Sequence, residues 1–237
     1  VDSDPVVPLR ILSLDIQNPG RLLPLPPARQ KMVEFVGDSW TCGYGNLDEQ
    51  TPSGNCTQGF AVLAAQHLDA DFSLIALSGH GVVKNFGETP PSTSSMPIKY
   101  ARCLPNDPAS LRGYGRSADW GVVLLGENDF SSPPYPSEKS YVTALRTLFT
   151  EMRTRHPGIH ILLAAPDRPH PASKLATQAL HEEQSTGHDL QLLPLPNLDP
   201  SLPMGHLGHP GLAHHEIYAK LLVNALVKFF PPKKSLH

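Results

Sequence analysis

Residues 33–45 read VEFVGDSWTCGYG and run from an apolar segment into a serine with small and polar neighbours. The apolar segment at 31–36 predicts a core strand that is buried on both faces of a parallel sheet. Open α/β sheets bind their ligands at the carboxyl ends of the strands, and Ser39 follows this strand directly. The stretch therefore predicts an α/β fold that presents Ser39 as a candidate nucleophile.

Strand-like and helix-like segments alternate along the rest of the chain. Apolar runs predict further strands at 72–77, 120–125, 159–165 and 190–195. Helical spacing of apolar residues predicts helices at 60–68, between Ser137 and Pro157, at 174–184 and at 211–230. This alternation predicts a three-layer α/β/α domain with a mostly parallel five-stranded sheet.

Two of the predicted helices have a clear apolar stripe. In the helix after the cap residue Ser137, the stripe consists of Tyr141, Ala144, Leu145, Leu148, Phe149 and Met152. In the last helix, the residues expected to face the core are Ile217, Leu221, Leu222, Ala225, Leu226 and Phe229. The connection at 85–118 is polar and rich in proline, which is typical of a functional loop region containing at most a short helix.

The first 30 residues differ from the rest in composition. They combine a strand-like piece at 9–16 with a run of proline and leucine at 22–27. This pattern predicts either an edge strand lying on the domain or the last strand and linker of a preceding β domain. Because 237 residues suffice for one α/β domain, residues 31–237 are predicted to form a single catalytic domain.

The charge of the chain disfavours several classes of partner. It has 19 basic and 22 acidic residues, mixed along the sequence, and a formal net charge of -3. Nucleic acids and anionic membranes are bound by clustered positive charge, so neither is an expected partner, and a neutral substrate fits best. No apolar run approaches the roughly 20 residues of a membrane-spanning helix, so a soluble protein is expected.

The three cysteines, Cys42, Cys56 and Cys103, lack the Cys-x-x-Cys spacing of thiolate zinc sites. A disulfide between Cys42 and Cys56 would close a short loop in an oxidising compartment, and three separate buried thiols are the alternative. The sequence starts at Val1 without a charged and apolar leader, which is typical of a processed product. We expect a secreted, extracellular protein.

Candidate catalytic groups lie at the ends of three predicted strands. Ser39 follows the first strand, Gly79 the second and Asn128 the third. In a parallel sheet these ends converge, although they are distant in sequence. The backbone N–H groups of Ser39 and Gly79 and the amide of Asn128 can form an oxyanion hole, with Gly81 as the alternative to Gly79.

A serine nucleophile needs a base, and a histidine cluster before the last helix can supply it. Its members are His206, His209, His214 and His215. His209 precedes Pro210 at the start of the helix, where a rigid loop can hold it over the end of the first strand. The cluster with Glu216 could also be read as a metal site, but its spacing matches no common zinc pattern, so no metal or cofactor is expected.

Four blocks carry a resemblance to a known family: GDSW at 37–40, SGHG at 78–81, GEND at 126–129 and His-Pro at 209–210. Together they resemble the four blocks of the SGNH (GDSL-type) hydrolases. The stretches KMVEFVGDSWTCGYGN and LIALSGHGVVKNFG and the tail His-Pro-x-x-Ala-x-His-Glu are similar to carbohydrate esterase family two. Members of that branch are acetyl esterases of plant polysaccharides, including acetylxylan and glucomannan.

The resemblance implies a flavodoxin-like SGNH hydrolase fold and a role for each block. It implies Ser39 as nucleophile, His209 as base, and Ser39, Gly79 and Asn128 as the oxyanion hole. An acyl-enzyme mechanism and an acetylated polysaccharide or oligosaccharide as substrate follow from the same resemblance. It also implies that residues 9–27 are the end of an amino-terminal β-sandwich domain.

Three residues depart from the family pattern. The wider superfamily has an aspartate three residues before the histidine, where this chain has His206. A backbone carbonyl could then orient His209 in a dyad, or Asp199 or Asp189 could reach it through the fold. Glu127 replaces a small polar residue, and Trp40 replaces an aliphatic one.

Trp40 and His206 are candidate substrate-pocket residues, with Trp40 narrowing the acyl pocket to acetyl. Two other functions remain open. A lipase or thioesterase of the same fold would need a long apolar acyl channel. A carbohydrate-binding protein with a decayed site is suggested by His206 in place of the aspartate.

Overall fold

The protein is described by a computed structural model that covers residues 13, 15–17, 20–113 and 115–231. The strand predicted at 9–16 therefore lies largely outside the described residues, and residues 13, 15 and 16 are not in a strand. Residues 20–29 have no regular secondary structure and are exposed to solvent. The first strand of the sheet begins at Lys31.

Five strands form one sheet, and every neighbouring pair is parallel. In chain order they are β1 (Lys31–Gly37), β2 (Ala70–Ala76), β3 (Trp120–Leu124), β4 (His160–Pro166) and β5 (Leu190–Leu195). Their order across the sheet is β2-β1-β3-β4-β5. The five predicted strands are confirmed, and β1 lies between the two strands whose ends carry the other candidate groups.

The described residues contain six α-helices, namely α1 (Ser39–Cys42), α2 (Phe60–His67), α3 (Met96–Tyr100), α4 (Glu138–Arg155), α5 (Pro171–Ser185) and α6 (Leu212–Phe229). Helices α2 and α6 share one apolar core with residues of the sheet, and α3, α4 and α5 share the other. The predicted three-layer α/β/α fold is confirmed. Within the described part of the chain, no helix combines the length and hydropathy needed to cross a membrane.

Helix α4 follows its sequence pattern closely. The Ser137 hydroxyl accepts a hydrogen bond from the backbone N–H of Ser140 at 3.1 Å and so caps the helix. The predicted stripe is buried except for Ala144, which is partly exposed, and Val142 is buried beside it. A Ser cap followed by apolar residues at helical spacing is therefore enough to define this element.

Helix α6 buries most of the predicted face, with Leu222, Ala225 and Leu226 buried and Leu221 and Phe229 partly buried, but Ile217 is not part of it. Ile217 is exposed, whereas Tyr218 and Ala219 are buried together with His214 and His215. These residues share one face with Leu222, Ala225 and Leu226 at spacings of three or four, and Ile217 lies to one side of it. The pattern was misread because two histidines occupy core positions that apolar residues usually fill.

The structure shows neither of the two arrangements proposed for the cysteines, a Cys42–Cys56 disulfide or three buried thiols. Cys42, Cys56 and Cys103 are free, so the structure contains no Cys42–Cys56 disulfide. Cys56 and Cys103 are exposed, so the three are not buried thiols either. The Cys42 thiol points to the carbonyl oxygen of Ser39 at 3.4 Å, and burial raises its pKa to about 11.

Strand β1 carries a fully buried carboxylate, Glu34. Tyr100 donates to its Oε1 at 2.5 Å, His156 Nε2 lies 3.2 Å from the same atom, and Arg112 pairs with Oε2. Burial alone would raise the pKa of Glu34, but these hydrogen bonds and the Arg112 charge outweigh it and lower the pKa to about 2. The cluster ties the long connection before β3 to the strand that delivers Ser39.

We expect Glu34 to stabilise the fold in a pH-dependent way. Its pKa is lower in the folded protein than its ordinary value of 4.5, so its contribution is complete above about pH 4.5 and is lost as pH falls towards 2. Glu34→Gln should lower the free energy of unfolding by about 3 kcal/mol at pH 7 and by much less near pH 3. Urea unfolding at both pH values measures the difference.

The exposed Glu138 provides the control for this comparison. Glu138→Gln should change the free energy of unfolding by less than about 1 kcal/mol at either pH, because its ion pair with Lys174 is on the surface. An equal loss for Glu34→Gln at pH 7 and at pH 3 would contradict the role given to its charge.

Candidate active site

Ser39 is the first residue of α1, directly after the turn that ends β1. Asp38 caps the helix, accepting from the backbone N–H of Trp40 at 3.1 Å, and Gly43 ends it in the left-handed region with a φ of 72°. A Cβ at Gly37 would lie 1.9 Å from the Thr41 hydroxyl, so only glycine fits where the chain turns from strand to helix. The GDS sequence thus makes a tight turn that places Ser39 at the strand end.

His209 is brought to Ser39 from the other end of the chain. Its Nε2 lies 2.9 Å from the Ser39 hydroxyl, across 170 residues of sequence. Its Nδ1 lies 2.8 Å from the carbonyl oxygen of His206, which can only accept a hydrogen bond, so Nδ1 carries the proton. Neutral His209 therefore presents an unprotonated Nε2 that can take the proton of Ser39.

No carboxylate completes a triad within the described residues. Asp199 accepts from Ser201, and Asp189 pairs with His160 at 2.8 Å, so neither contacts His209. The backbone carbonyl of His206 occupies the place of the third group. The structure thus has the arrangement of a serine–histidine dyad, one of the two alternatives that the sequence left open.

The His206 ring contacts the loop that follows α1. It is absent from the residues that line the cavity above Ser39, and its Nδ1 lies 3.0 Å from the carbonyl oxygen of Glu49. The adjacent Leu207 has a positive φ of 52°, so the chain reverses sharply after His206 and directs only His209 towards Ser39. His206 therefore helps to hold the loop in place, and a role of its side chain in substrate binding stays a prediction.

The loop after α1 supports the base, which the sequence did not reveal. The Tyr44 ring packs with its edge against the His209 ring, with centroids 5.0 Å apart. The backbone N–H of His206 donates to the carbonyl of Gly45 at 2.9 Å. Gly45 has a φ of +64°, and a Cβ there would come within 2.6 Å of His206. The only sequence signal was the glycine-rich run immediately after the serine.

The oxyanion candidates differ in how free their N–H groups are. The Ser39 N–H belongs to the first turn of α1, where no helical acceptor exists. The Gly81 N–H donates to Asn85 Oδ1 at 3.1 Å, whereas the Gly79 N–H has no acceptor among the described residues. Asn128 Nδ2 is engaged twice, with His80 O at 2.9 Å and with Asp38 at 3.2 Å. The geometry favours Gly79 over Gly81, and the roles of all three groups stay predictions.

Asp129, the last residue of GEND, fixes the loop that contains Gly79. Its carboxylate accepts from the backbone N–H groups of Val82, Val83 and Lys84 at 2.8, 2.7 and 3.0 Å. The side chain is fully buried, and burial raises its pKa against the opposing effect of these three bonds. Although the block was recognised, this role of its carboxylate was not, because nothing in the sequence says which amides it would meet.

A second buried carboxyl, Asp38, lies beside the candidate nucleophile. Burial raises its pKa to about 7, and the nearby charges of Glu127 and Asp129 act in the same direction. Its Oδ2 is the acceptor for Asn128, so the carboxyl orients an oxyanion candidate. Asp38 is therefore a group that changes charge near neutral pH within the site.

Ser39 and His209 open into a cavity of about 460 Å³. Trp40 and Tyr218 line one wall, with ring centroids 6.0 Å apart and planes inclined by 19°, and Leu124 and Leu195 extend this apolar surface. Trp40 is thus in the cavity, as predicted for a substrate-pocket residue. The other tryptophan, Trp120, is buried in the core.

A charged pair lines the same cavity. Glu127 Oε2 lies 2.7 Å from Arg168 Nη2 and 3.7 Å from His170 Nε2. No role was predicted for Arg168 from the sequence. It follows β4 as Ser39 follows β1, so applying the strand-end argument to the fourth strand would have found it.

The remaining histidines of the cluster are packing residues. His214 Nε2 donates to the carbonyl of Asp199 at 3.0 Å, and His215 Nδ1 accepts from the backbone N–H of Phe60 at 3.1 Å. Burial lowers the pKa of His215 to about 4. In the described ranges, no three His, Cys, Asp or Glu side chains are placed to hold a metal ion.

Comparison with protein families gives a match over most of the chain. Residues 35–207 match the GDSL-like Lipase/Acylhydrolase family. The chain is 30% identical over 216 residues to the Cellulase/esterase CelE of Acetivibrio thermocellus, covering 86% of this chain and 26% of that protein. It is 34% identical over 124 residues to an Acetylxylan esterase / glucomannan deacetylase of Cellvibrio japonicus, covering 48% of this chain and 33% of that protein.

Solved structures show the same likeness. A family two carbohydrate esterase from Clostridium thermocellum, in complex with cellohexaose, has a TM-score of 0.80 and 27% identity, covering 88% of this chain and 67% of that one. A carbohydrate esterase family 2 enzyme of Corynascus thermopiles (Myceliophthora fergusii) has a TM-score of 0.76 and 26% identity, covering 89% and 70%. The resemblance predicted from the four blocks is confirmed.

The chain spans about a quarter to a third of the length of these two curated relatives. This chain matches only part of each relative. The amino-terminal β-sandwich domain expected from the sequence therefore stays a prediction. The family match runs from within β1 to residue 207, so it includes Ser39 and ends two residues before His209.

The state of His209 predicts the acid limb of the pH–rate profile. Burial lowers the pKa of His209 below its ordinary value of 6.5. Because only the neutral ring can accept the Ser39 proton, kcat/KM should fall as pH drops through this lowered pKa. The profile for a chromogenic acetyl ester should therefore have its inflection below pH 6.5.

An inflection near pH 7 would instead report the carboxyl of Asp38. The Asp38→Asn variant separates the two cases, because an inflection that belongs to Asp38 disappears and one that belongs to His209 remains. Loss of the inflection in this variant would contradict the assignment to His209.

Proposed function

Because the chain belongs to the GDSL-like lipase/acylhydrolase family, we propose that it is a serine esterase that removes acetyl groups from O-acetylated plant polysaccharides or their oligosaccharides. The observation that carries the proposal is the 2.9 Å contact between the Ser39 hydroxyl and an unprotonated His209 Nε2. The functions of these relatives, a cellulase/esterase and an acetylxylan esterase / glucomannan deacetylase, support the choice of substrate.

In the proposed reaction, Ser39 attacks the acetyl carbonyl as His209 takes its proton. The negative charge that develops on the carbonyl oxygen is stabilised by the N–H groups of Ser39 and Gly79 and by the Asn128 amide. To donate to this oxygen, Asn128 Nδ2 would release its longer hydrogen bond, the one to Asp38. The His206 carbonyl keeps the proton of Nδ1 in place throughout.

His209 next gives its new proton to the departing sugar oxygen, and the acetyl group remains on Ser39. Water then takes the place of the sugar, with His209 again acting as base, and acetate leaves. No metal or cofactor takes part in the proposed scheme. The proposed substrate implies an extracellular location for the enzyme, because plant polysaccharides lie outside the cell.

The alternative acyl group is a long chain, as in a lipase or thioesterase. The apolar wall of Trp40 and Tyr218 favours a small acyl group because two stacked rings limit the space beside Ser39. The charged pair of Glu127 and Arg168 occupies another part of the cavity, where a long chain would have to displace water from charges. Both observations support acetyl over a long acyl chain.

The other alternative is a carbohydrate-binding protein without activity. A missing aspartate suggested it, but His209 is held by a carbonyl and contacts Ser39 directly. The two groups required for acyl transfer are therefore assembled, which supports catalysis over a decayed site.

The proposal predicts how three substitutions rank. Ser39→Ala should abolish acetate release from acetylated xylan or glucomannan, and His209→Ala should lower kcat by about a thousandfold or more, since each removes a member of the pair. His206→Ala should cost far less, about tenfold, because its backbone carbonyl remains. Acetate assays on the three variants measure the ranking, and unchanged release by Ser39→Ala would reject the esterase assignment.

Trp40 predicts the acyl-chain preference. In wild type, p-nitrophenyl acetate should be hydrolysed faster than the butyrate and octanoate esters. Trp40→Ala should raise the ratio of butyrate to acetate kcat/KM by about tenfold, because it opens space beside the nucleophile. A wild-type preference for eight carbons over two would favour the lipase alternative instead.

A further inference from the structure

The cavity above Ser39 has a second part, which is built from the ends of the strands on one side of the sheet. Glu127 follows β3, Arg168 follows β4 and Asn197 follows β5, and all three line the cavity. These strands are consecutive in the sheet, so their ends form a continuous ledge beside Ser39. None of the four blocks assigns a role to the side chains of this ledge.

Glu127 is held from two sides. Arg168 pairs with its Oε2 at 2.7 Å, and His170 Nε2 approaches the same oxygen at 3.7 Å. The His170 ring is itself fixed, since its Nδ1 accepts from the backbone N–H of Ala172 at 3.2 Å and its plane lies at 85° to the Phe130 ring, with centroids 6.1 Å apart. The carboxylate is therefore oriented before any ligand arrives.

The pair keeps hydrogen-bonding capacity on its free atoms. Within the part of the chain that the structure describes, no partner contacts Glu127 Oε1 or the Nε and Nη1 of Arg168. Both side chains are partly exposed to the cavity. An acceptor and a donor thus stand side by side, which matches two neighbouring hydroxyl groups, each able to donate and accept.

The charge of the pair narrows the class of ligand. One carboxylate and one guanidinium cancel, so the pair does not select an anion or a cation and is suited to a neutral polyol. Hydrogen bonds to charged groups are also stronger than those between neutral groups. Pro196 and Tyr218 line the same cavity and offer an apolar surface for the face of a sugar ring.

We propose that Glu127 and Arg168 form a subsite that binds vicinal hydroxyl groups of the sugar ring carrying the acetyl ester. The inference rests on the proposed esterase function and adds the group of the substrate that is recognised. Glu127 directly precedes Asn128, so a sugar bound here has its ester beside the oxyanion donors.

The test compares two esters in wild type and in Glu127→Gln and Arg168→Met variants. One ester is monoacetylated methyl xyloside, and the other is p-nitrophenyl acetate, which has no hydroxyl groups. The ratio of kcat/KM for the sugar ester to that for p-nitrophenyl acetate should fall about tenfold or more in each variant. The double variant should show no further fall, because the two side chains act as a pair.

A deoxy substrate sharpens the comparison. Acetylated methyl xyloside without the hydroxyl next to the ester should be about tenfold poorer than the parent for wild type. Glu127→Gln should reduce this penalty to about twofold. Glu138→Gln is the matched control, because it removes an exposed carboxylate of another ion pair, with Lys174, outside the cavity, and it should leave both ratios as in wild type.

The possible outcomes distinguish a failure of the subsite proposal from a failure of the proposed esterase function. If wild type releases acetate from the xyloside but the variants keep its selectivity ratio, or the deoxy penalty persists in Glu127→Gln, the subsite is overturned and the esterase function stands. If wild type cleaves p-nitrophenyl acetate but no acetylated xyloside, glucoside or mannoside, the proposed function is overturned and the subsite with it.

Discussion

The hydrogen bond between His209 Nδ1 and the carbonyl oxygen of His206 determines what the rest of the site can do. It keeps the proton on Nδ1 and leaves Nε2 free to face Ser39 at 2.9 Å. A carbonyl carries less negative charge than a carboxylate, so the ring is oriented but the cation formed during proton transfer is stabilised less. The orientation depends in turn on His206, whose backbone N–H donates to the Gly45 carbonyl and whose ring Nδ1 contacts the Glu49 carbonyl, linking it to the loop after the nucleophile.

The sequence predicted the architecture well because the parallel sheet imposes strong patterns. Each strand is a predominantly apolar segment, and the candidate groups follow the strands at positions that converge by topology alone. It predicted less where the outcome depends on which atoms meet in space. Asp129 is visible as an acidic residue after β3, but its three amide partners come from the loop after β2, 45 to 47 residues away.

The one misplaced residue of α6 has the same origin. Ile217 was expected in the core, but Tyr218 and two histidines took the buried face of α6. A histidine in a core position finds its partner in the tertiary structure, as His215 does with the Phe60 amide, and local hydropathy carries no sign of that partner.

The division of the cavity between two sets of strand ends has a consequence for how this protein can change during evolution. Ser39 and its base are carried by the loops after β1 and before α6, whereas Glu127 and Arg168 belong to the loops after β3 and β4. Substitutions in the second set alter the surface offered to a ligand without moving the reacting pair. A few substitutions in the loops after β3 and β4 could therefore change the ligand specificity of the cavity while Ser39 and His209 stay in place.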